Sequence, residues 1–244
     1  MGFDASRLLD IAGITTPVLG FYDAPVTLPF APLIKARSCV FSSYRNWLKG
    51  HSVLLGKDNY GCNGAGYWLC GIESIPQKEY ADYLAITQGF KSSPSVMNRW
   101  MEKRAPYRKE NSNIIIGPLK NDQQQYLKTV TFFVNPDQLG FLLTGCEYHN
   151  SDVDTHPVIS SFGSGCGQLI TMFENLDVPK AIIGATDISM RKYLPPEILA
   201  LTVTKPMFEQ LCALGEDSFL YKPYWRGLKE VRSKTKNEEQ VLPG

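Results

Sequence analysis

Residues 37–72 read RSCVFSSYRNWLKGHSVLLGKDNYGCNGAGYWLCGI. Val40, Phe41, Tyr44, Trp47 and Leu48 fall at helical spacing, and Gly50 stops that helix before a strand over His51–Leu55. Next comes the turn Gly61-Cys62-Asn63-Gly64-Ala65-Gly66, whose glycines allow a tight bend and close approach to a ligand. Tyr67, Trp68, Leu69 and Ile72 then open a helix on the turn. Cys62 is thereby placed at a positive helix end, and Cys39 at or just before the first turn of the preceding helix. That field favours thiolate over thiol, which suits a metal ligand or a reactive group.

A second unit of this kind lies far along the chain. A strand over 158–162 runs into Gly163-Ser164-Gly165-Cys166-Gly167, and Leu169, Ile170, Phe173 and Leu176 recur at helical spacing. Two strand, glycine-turn-cysteine, helix units in one chain direct attention to Cys62 and Cys166.

Working outward, Asp4 caps an amphipathic helix that Gly13 ends, and a strand covers Thr16–Tyr22. A proline-rich loop spans Asp23–Leu33. Ser74-Ile75-Pro76-Gln77 has the form of a capping box, and Ser93-Pro94 opens another helix. Strands follow over Asn113–Ile116 and Thr129–Val134, the latter rich in β-branched and aromatic residues. Asn135-Pro136 caps a helix through Cys146, strands cover Lys180–Gly184 and Ile198–Thr204, and Thr204-Lys205-Pro206 starts a helix. A docked helix is expected near Tyr221–Val231. The order of elements predicts an α+β fold, a mixed and largely antiparallel sheet flanked by helices, rather than a doubly wound sheet. One domain over 1–225 is expected, with possible similar halves at 14–110 and 111–225, and a charged C-terminal tail over 226–244.

With 244 residues and 43% hydrophobic content, the chain can bury a core without staples. A net charge of +1, with no basic block outside the tail, lacks the electrostatic footprint of a nucleic-acid binder. The cluster Lys103, Arg104, Arg108 and Lys109 reads as a solvated face near a helix C-terminus. The first residues lack a signal-peptide pattern, and no apolar run approaches the roughly 20 residues of a spanning helix. The expectation is a cytoplasmic protein that engages neither nucleic acid nor membrane. Its six cysteines then read as thiols of a reducing compartment. No CxxC pair is present, so a metal site must be assembled from distant segments.

Taken in order, Cys39, Arg45, Gly50, Gly61-Cys62-Asn63-Gly64-Ala65, Leu69, then Val134-Asn135-Pro136-Asp137-Gln138-Leu139, Gly165-Cys166-Gly167, and Ile183-Gly184 through Arg191 and Leu194 to Pro206 form a pattern. It resembles the uncharacterised ArCR family, the domain of unknown function numbered one hundred and sixty-nine, from about Thr16 to Leu214. The resemblance implies recurring cysteines at Cys39, Cys62 and Cys166, an arginine at Arg191, and members at home in anaerobic archaea and bacteria. It implies no biochemical role. Cys70, Cys146 and Cys212 fall outside the pattern, among apolar residues of predicted helices, and burial accounts for them.

Three thiolates converging from separate segments suit an iron–sulfur cluster with one open or non-cysteine ligand. Zinc held by the same three thiolates with His149 or His156 is the alternative, although neither histidine has a helical partner. A different chemistry makes Cys166 or Cys62 a nucleophile activated by the helix end. A third class is a non-catalytic module whose glycine turns, Gly61, Gly64, Gly165 and Gly167, cradle a small ligand, with Arg191 clamping a carboxylate or phosphate. The expected partner is accordingly a small molecule or a metal.

Overall fold

The computed structural model describes residues 4–25, 33–56, 58–70, 76–152, 156–160 and 163–241. Part of the Asp23–Leu33 loop, Ile72, the first half of the capping box at Ser74-Ile75, and Ser161-Phe162 lie outside these residues.

The β-branched and aromatic runs pair into one sheet of eight strands: β1 Leu19–Ala24, β2 Leu33–Lys35, β3 Ser52–Leu55, β4 Asn113–Pro118, β5 Leu127–Val134, β6 Val158–Ser160, β7 Ala181–Gly184 and β8 Leu199–Thr204. The helices are α1 Ser6–Ala12, α2 Tyr44–Trp47, α3 Asn63–Leu69, α4 Gln77–Asp82, α5 Pro94–Glu102, α6 Pro136–Glu147, α7 Ile188–Arg191, α8 Lys205–Ala213 and α9 Pro223–Val241. The fold is α+β, as the order of elements predicts.

Across the sheet the order is β2-β3-β4-β1-β5-β8-β7-β6. The edge pairs β2/β3 and β6/β7 are parallel, and every other neighbouring pair is antiparallel. The order reads alike from either edge. Each group of four runs second, third, fourth, first strand toward the middle, where β1 and β5 meet antiparallel. That is the pattern of a twofold axis normal to the sheet, and it groups β4 with β1–β3.

Alternation of side chains gives the sheet two apolar faces. Leu19, Phe21, Val53, Ile116 and Phe133 point toward Phe41, Trp47 and Trp68 on one side. Tyr22, Ile115, Val130, Phe132 and Leu201 point toward α1, α6 and α8 on the other. Trp47 stacks on Phe133 with ring centroids 6.0 Å apart, and its indole N–H donates to the Ile116 carbonyl at 3.1 Å, so α2 of the first half is seated on the centre of the sheet. Tyr107 donates to the buried Asp23 carboxylate at 2.8 Å, as does the Asn111 amide at 2.8 Å, which fixes the approach to β4.

Caps behave as their sequences imply at α6, where Asn135 and Gln138 form a reciprocal capping box, and at α5, where Ser93 accepts from Val96. Two expectations need correction. The unit around Cys166 has no α-helix; the chain makes only a 3-10 turn over Gly167–Leu169. Thr129 Oγ1 donates to the Leu169 carbonyl, so a side chain from β5 takes an acceptor that a continuing helix would have used. At the other end, α9 runs to Val241, beyond the expected Val231. It is anchored by the Trp225 indole on the Ile11 carbonyl at 2.6 Å and by Arg232 on Asp137 at 2.8 Å.

Candidate functional site

All three cysteines of the sequence pattern line one cavity of about 380 Å³, on the face of the sheet opposite α6 and α8. Cys39 is the N-cap of a 3-10 turn over Val40–Ser43 that leads into α2. Cys62, in extended backbone with φ −139° and ψ 163°, is the N-cap of α3. Cys166 is the N-cap of the 3-10 turn over Gly167–Leu169. Each sulfur therefore sits where backbone N–H groups are free of helical partners.

Gly61 explains how two of these segments come together. Its φ of +78° suits glycine, and a Cβ there would lie 2.1 Å from the Ser38 carbonyl oxygen. The missing side chain lets the Cys62 turn lie directly against the segment that carries Cys39. Gly64 has a different use. A Cβ on it would stand 3.6 Å from Cys166 Sγ, 3.8 Å from Cys62 Sγ and 3.1 Å from Tyr80 Oη, so its bareness leaves space between the two sulfurs. Gly64 and Gly165 border the cavity. Gly167 is packed against Thr171, Met172 and Trp68, and Gly61 against backbone, and neither borders the cavity.

The three sulfurs are not electrostatically alike. The Cys39 thiol donates toward the Cys62 sulfur, and the amides of Ala65 and Gly64 face it as well, bringing Cys62 down to about 6. Cys62 makes no capping hydrogen bond of normal geometry, so those amides act on the larger sulfur chiefly through their dipoles. The same hydrogen bond holds the proton on Cys39 and raises it, with burial adding to the effect. Burial pushes Cys166 well above the ordinary thiol range, and the nearby Cys62 and Asp187 charges push it further. Of the three sulfurs, the surroundings thus favour Cys62 as the thiolate.

Asp187 is the site residue that the sequence reading missed. It is the N-cap of α7, accepting from the Ser189 amide at 2.9 Å, while its other oxygen accepts from the Gly165 amide at 3.0 Å. The carboxylate thus ties the Cys166 turn to α7 and faces the cavity. The turn before it is held by Gln168, whose Oε1 accepts from the Ala185 amide at 2.8 Å and whose Nε2 donates to Thr186 Oγ1 at 2.8 Å. An Asp-x-Ser run before a short helix is a recognisable capping signal. Its place beside Cys166 follows only from the sheet order. Tyr80, Tyr83 and Tyr193 supply aromatic wall, and Tyr80 shares a hydrogen bond with Ser164.

Arg191 is not among the residues that border the cavity. Its guanidinium donates to the carbonyls of Pro195, Pro196 and Ile198, where it clamps the turn before β8. A fixed fork of donors close to three carbonyls is satisfied locally. His149 and His156 do not border the cavity, and His156 lies 3.9 Å from Glu147. Cys70 and Cys146 are buried in the core and Cys212 packs against it, as expected; all six cysteines are unpaired.

Among the described residues, no group of three or more His, Cys, Asp or Glu is arranged to hold a metal ion, and no helix is long and apolar enough to cross a membrane. Comparison with curated proteins and with solved structures finds no match. A family model described as uncharacterised ArCR, COG2043, matches residues 18–213, a span that contains all three cysteine turns and Asp187. The chain belongs to this family, DUF169.

Proposed function

We propose that the cavity is a thiolate centre in which Cys62 attacks a soft electrophile, with Cys39 as the adjoining thiol. One observation carries this reading: the Cys62 sulfur lies on the wall of an open cavity, faced by two amides and by the Cys39 thiol. A cysteine nucleophile commonly needs a base to remove its proton. A thiol brought down to about 6 is already deprotonated at neutral pH, so the lack of a histidine in the described lining is no obstacle. Iodoacetamide labelling with peptide mapping tests it. Cys62 is expected to react at least about tenfold faster than any other cysteine at pH 7, as thiolate fractions dictate. Uniformly slow labelling overturns it.

A second reading keeps the sulfurs as ligands of an iron–sulfur cluster, with Cys39, Cys62 and Cys166 on three corners and the fourth open. It is favoured by the shared cavity wall, with amides of Phe41, Gly64, Ala65 and Gly167 facing the sulfurs, since such amides tune clusters. Metal binding would require Cys39 to part from Cys62. Zinc, which gathers its ligands at about 2.3 Å in a tight tetrahedron, requires the greater movement. Iron in anaerobically purified protein, with a visible absorption band that Cys166→Ala removes, would support the cluster; colourless, metal-free protein would overturn it. Both chemistries need free thiols, which fits a reducing cytoplasm and an anaerobic host.

A further inference from the structure

We propose that Cys39 and Cys62 form a dithiol–disulfide couple that reduces a small uncharged or cationic disulfide, Cys62 being the attacking sulfur and Cys39 the resolving one. The inference rests on the thiolate reading of Cys62 and adds to it a second sulfur, a reaction and a substrate class.

The geometry singles out Cys39 as the partner. Gly61 brings its segment against the Cys62 turn without an intervening side chain, and Cys39 and Cys62 border the same cavity. Cys39 and Cys62 are both partly exposed to the cavity, whereas Cys166 is 6% exposed. A negative Cys62 sulfur holds the proton on Cys39; once that sulfur is in a mixed disulfide, this cause is removed and Cys39 ionises more readily.

The steps balance. The Cys62 thiolate attacks one sulfur of the substrate; a sulfur–sulfur bond forms to Cys62, the substrate's own bond breaks, and one thiolate leaves. Cys39 gives its proton to that thiolate and attacks the Cys62 sulfur. The Cys39–Cys62 bond forms and the second substrate thiolate departs. The protein is oxidised by two electrons and the substrate is reduced to two thiols.

The lining sets the charge of the substrate. Among the described residues bordering the cavity there is no lysine, arginine or histidine, while the Cys62 thiolate and the Asp187 carboxylate are both present. Tyr80, Tyr83 and Tyr193 offer aromatic faces, which suit an uncharged body or an ammonium group. The charged side chains that a carboxylate-bearing disulfide meets on the described lining are anionic, which disfavours it.

The test mixes reduced, metal-stripped protein anaerobically with cystamine, 2-hydroxyethyl disulfide or 3,3′-dithiodipropionate, following thiol release, intact mass and peptide maps. Each rate is divided by that of the same disulfide with a free cysteine peptide. Wild type is expected to release two thiols per chain and to yield a Cys39–Cys62 disulfide, with cystamine and 2-hydroxyethyl disulfide favoured about tenfold or more over dithiodipropionate. Cys39→Ser is expected to stop at a mixed disulfide on Cys62 after one thiol; Cys39→Ala serves if thermal unfolding shows the serine variant misfolded. A stable mixed disulfide on wild type, a Cys62–Cys166 disulfide, or preference for the dianionic substrate overturns the proposal. Fast iodoacetamide labelling of Cys62 in the same preparation would then leave the thiolate reading standing, and slow labelling would remove both.

Discussion

Cys39 and Cys166 hold matching positions in the two halves of the sheet: each is the N-cap of a 3-10 turn that follows the outer strand of a parallel edge pair. A second match accompanies the first. Cys62 and Asp187 each cap the first α-helix after the inner strand of those pairs, β3 and β7. The cavity is therefore walled by two pairs of mates related by the twofold, and in the second pair both positions place an acidic side chain at a helix N-terminus, where negative charge is favoured. Sulfur stands on one side of the axis and carboxylate on the other.

The labelling rate of Cys62 is expected to follow a single ionisation with a midpoint near pH 6. Cys39→Ala removes the main cause of that low value, a charge-assisted hydrogen bond worth about 1.5–3 kcal/mol, so the midpoint should rise by about one unit or more. An unchanged midpoint in the variant would show that the two sulfurs do not interact.

Stability should report the same ionisation. The folded value of Cys62 lies below the unfolded one of about 8.5, so its contribution is present near and above that pH and is lost as pH falls through 6. Denaturant midpoints of wild type and Cys62→Ala, compared at pH 8 and pH 5, should converge toward acid. The raised thiols Cys39 and Cys166 stay protonated across this window and add no slope. A gap that widens toward pH 5 contradicts a low-lying thiolate.

Asp187→Asn keeps one acceptor oxygen, enough for the Ser189 or the Gly165 amide, while removing the charge that disfavours the Cys62 thiolate. The labelling midpoint should move to lower pH, and the penalty against anionic disulfides should shrink. A midpoint that moves upward would mean that the carboxylate does not act on the sulfur as a charge.

Two glycine substitutions separate fold from cavity. Gly61→Ala forces a left-handed conformation on alanine and drives its methyl into the Ser38 carbonyl, so a loss exceeding about 2 kcal/mol is expected in urea unfolding. Gly64→Ala has negative φ, and its nearest neighbour, Tyr80 Oη, lies 3.1 Å from the added carbon. Stability should change by less than about 1 kcal/mol, because helix propensity offsets crowding. Labelling of Cys62 by bulky reagents should nevertheless slow. Equal destabilisation by the two changes would refute the separation.

Arg191→Ala should cost about 2 kcal/mol by leaving the carbonyls of Pro195, Pro196 and Ile198 without their shared donor. The Cys62 midpoint and the charge preference of the cavity should not move. A change in either would restore Arg191 to the site.

The sequence alone determined whatever depends on a few neighbouring residues. Gly13 and Gly50 end helical turns with positive φ, Asn135 and Ser93 cap theirs, and the run over Thr129–Val134 makes a central strand. Cys62 at a helix start was legible for the same reason, since a glycine turn before an apolar helical stripe is a local signal. The stripe after Cys166 misled because Thr129, forty residues away, takes the Leu169 carbonyl.

Tertiary structure alone decided which groups share the cavity. The reading by motif matched Cys62 with Cys166, whereas the strand order makes Cys39 the mate of Cys166 and Asp187 the mate of Cys62. It also settled Arg191 on nearby carbonyls, outside the cavity lining. Caps and turns are fixed by contacts within one turn of chain, but the pairing of distant strands is set by burial summed over the whole sheet, and no short stretch of residues encodes that sum.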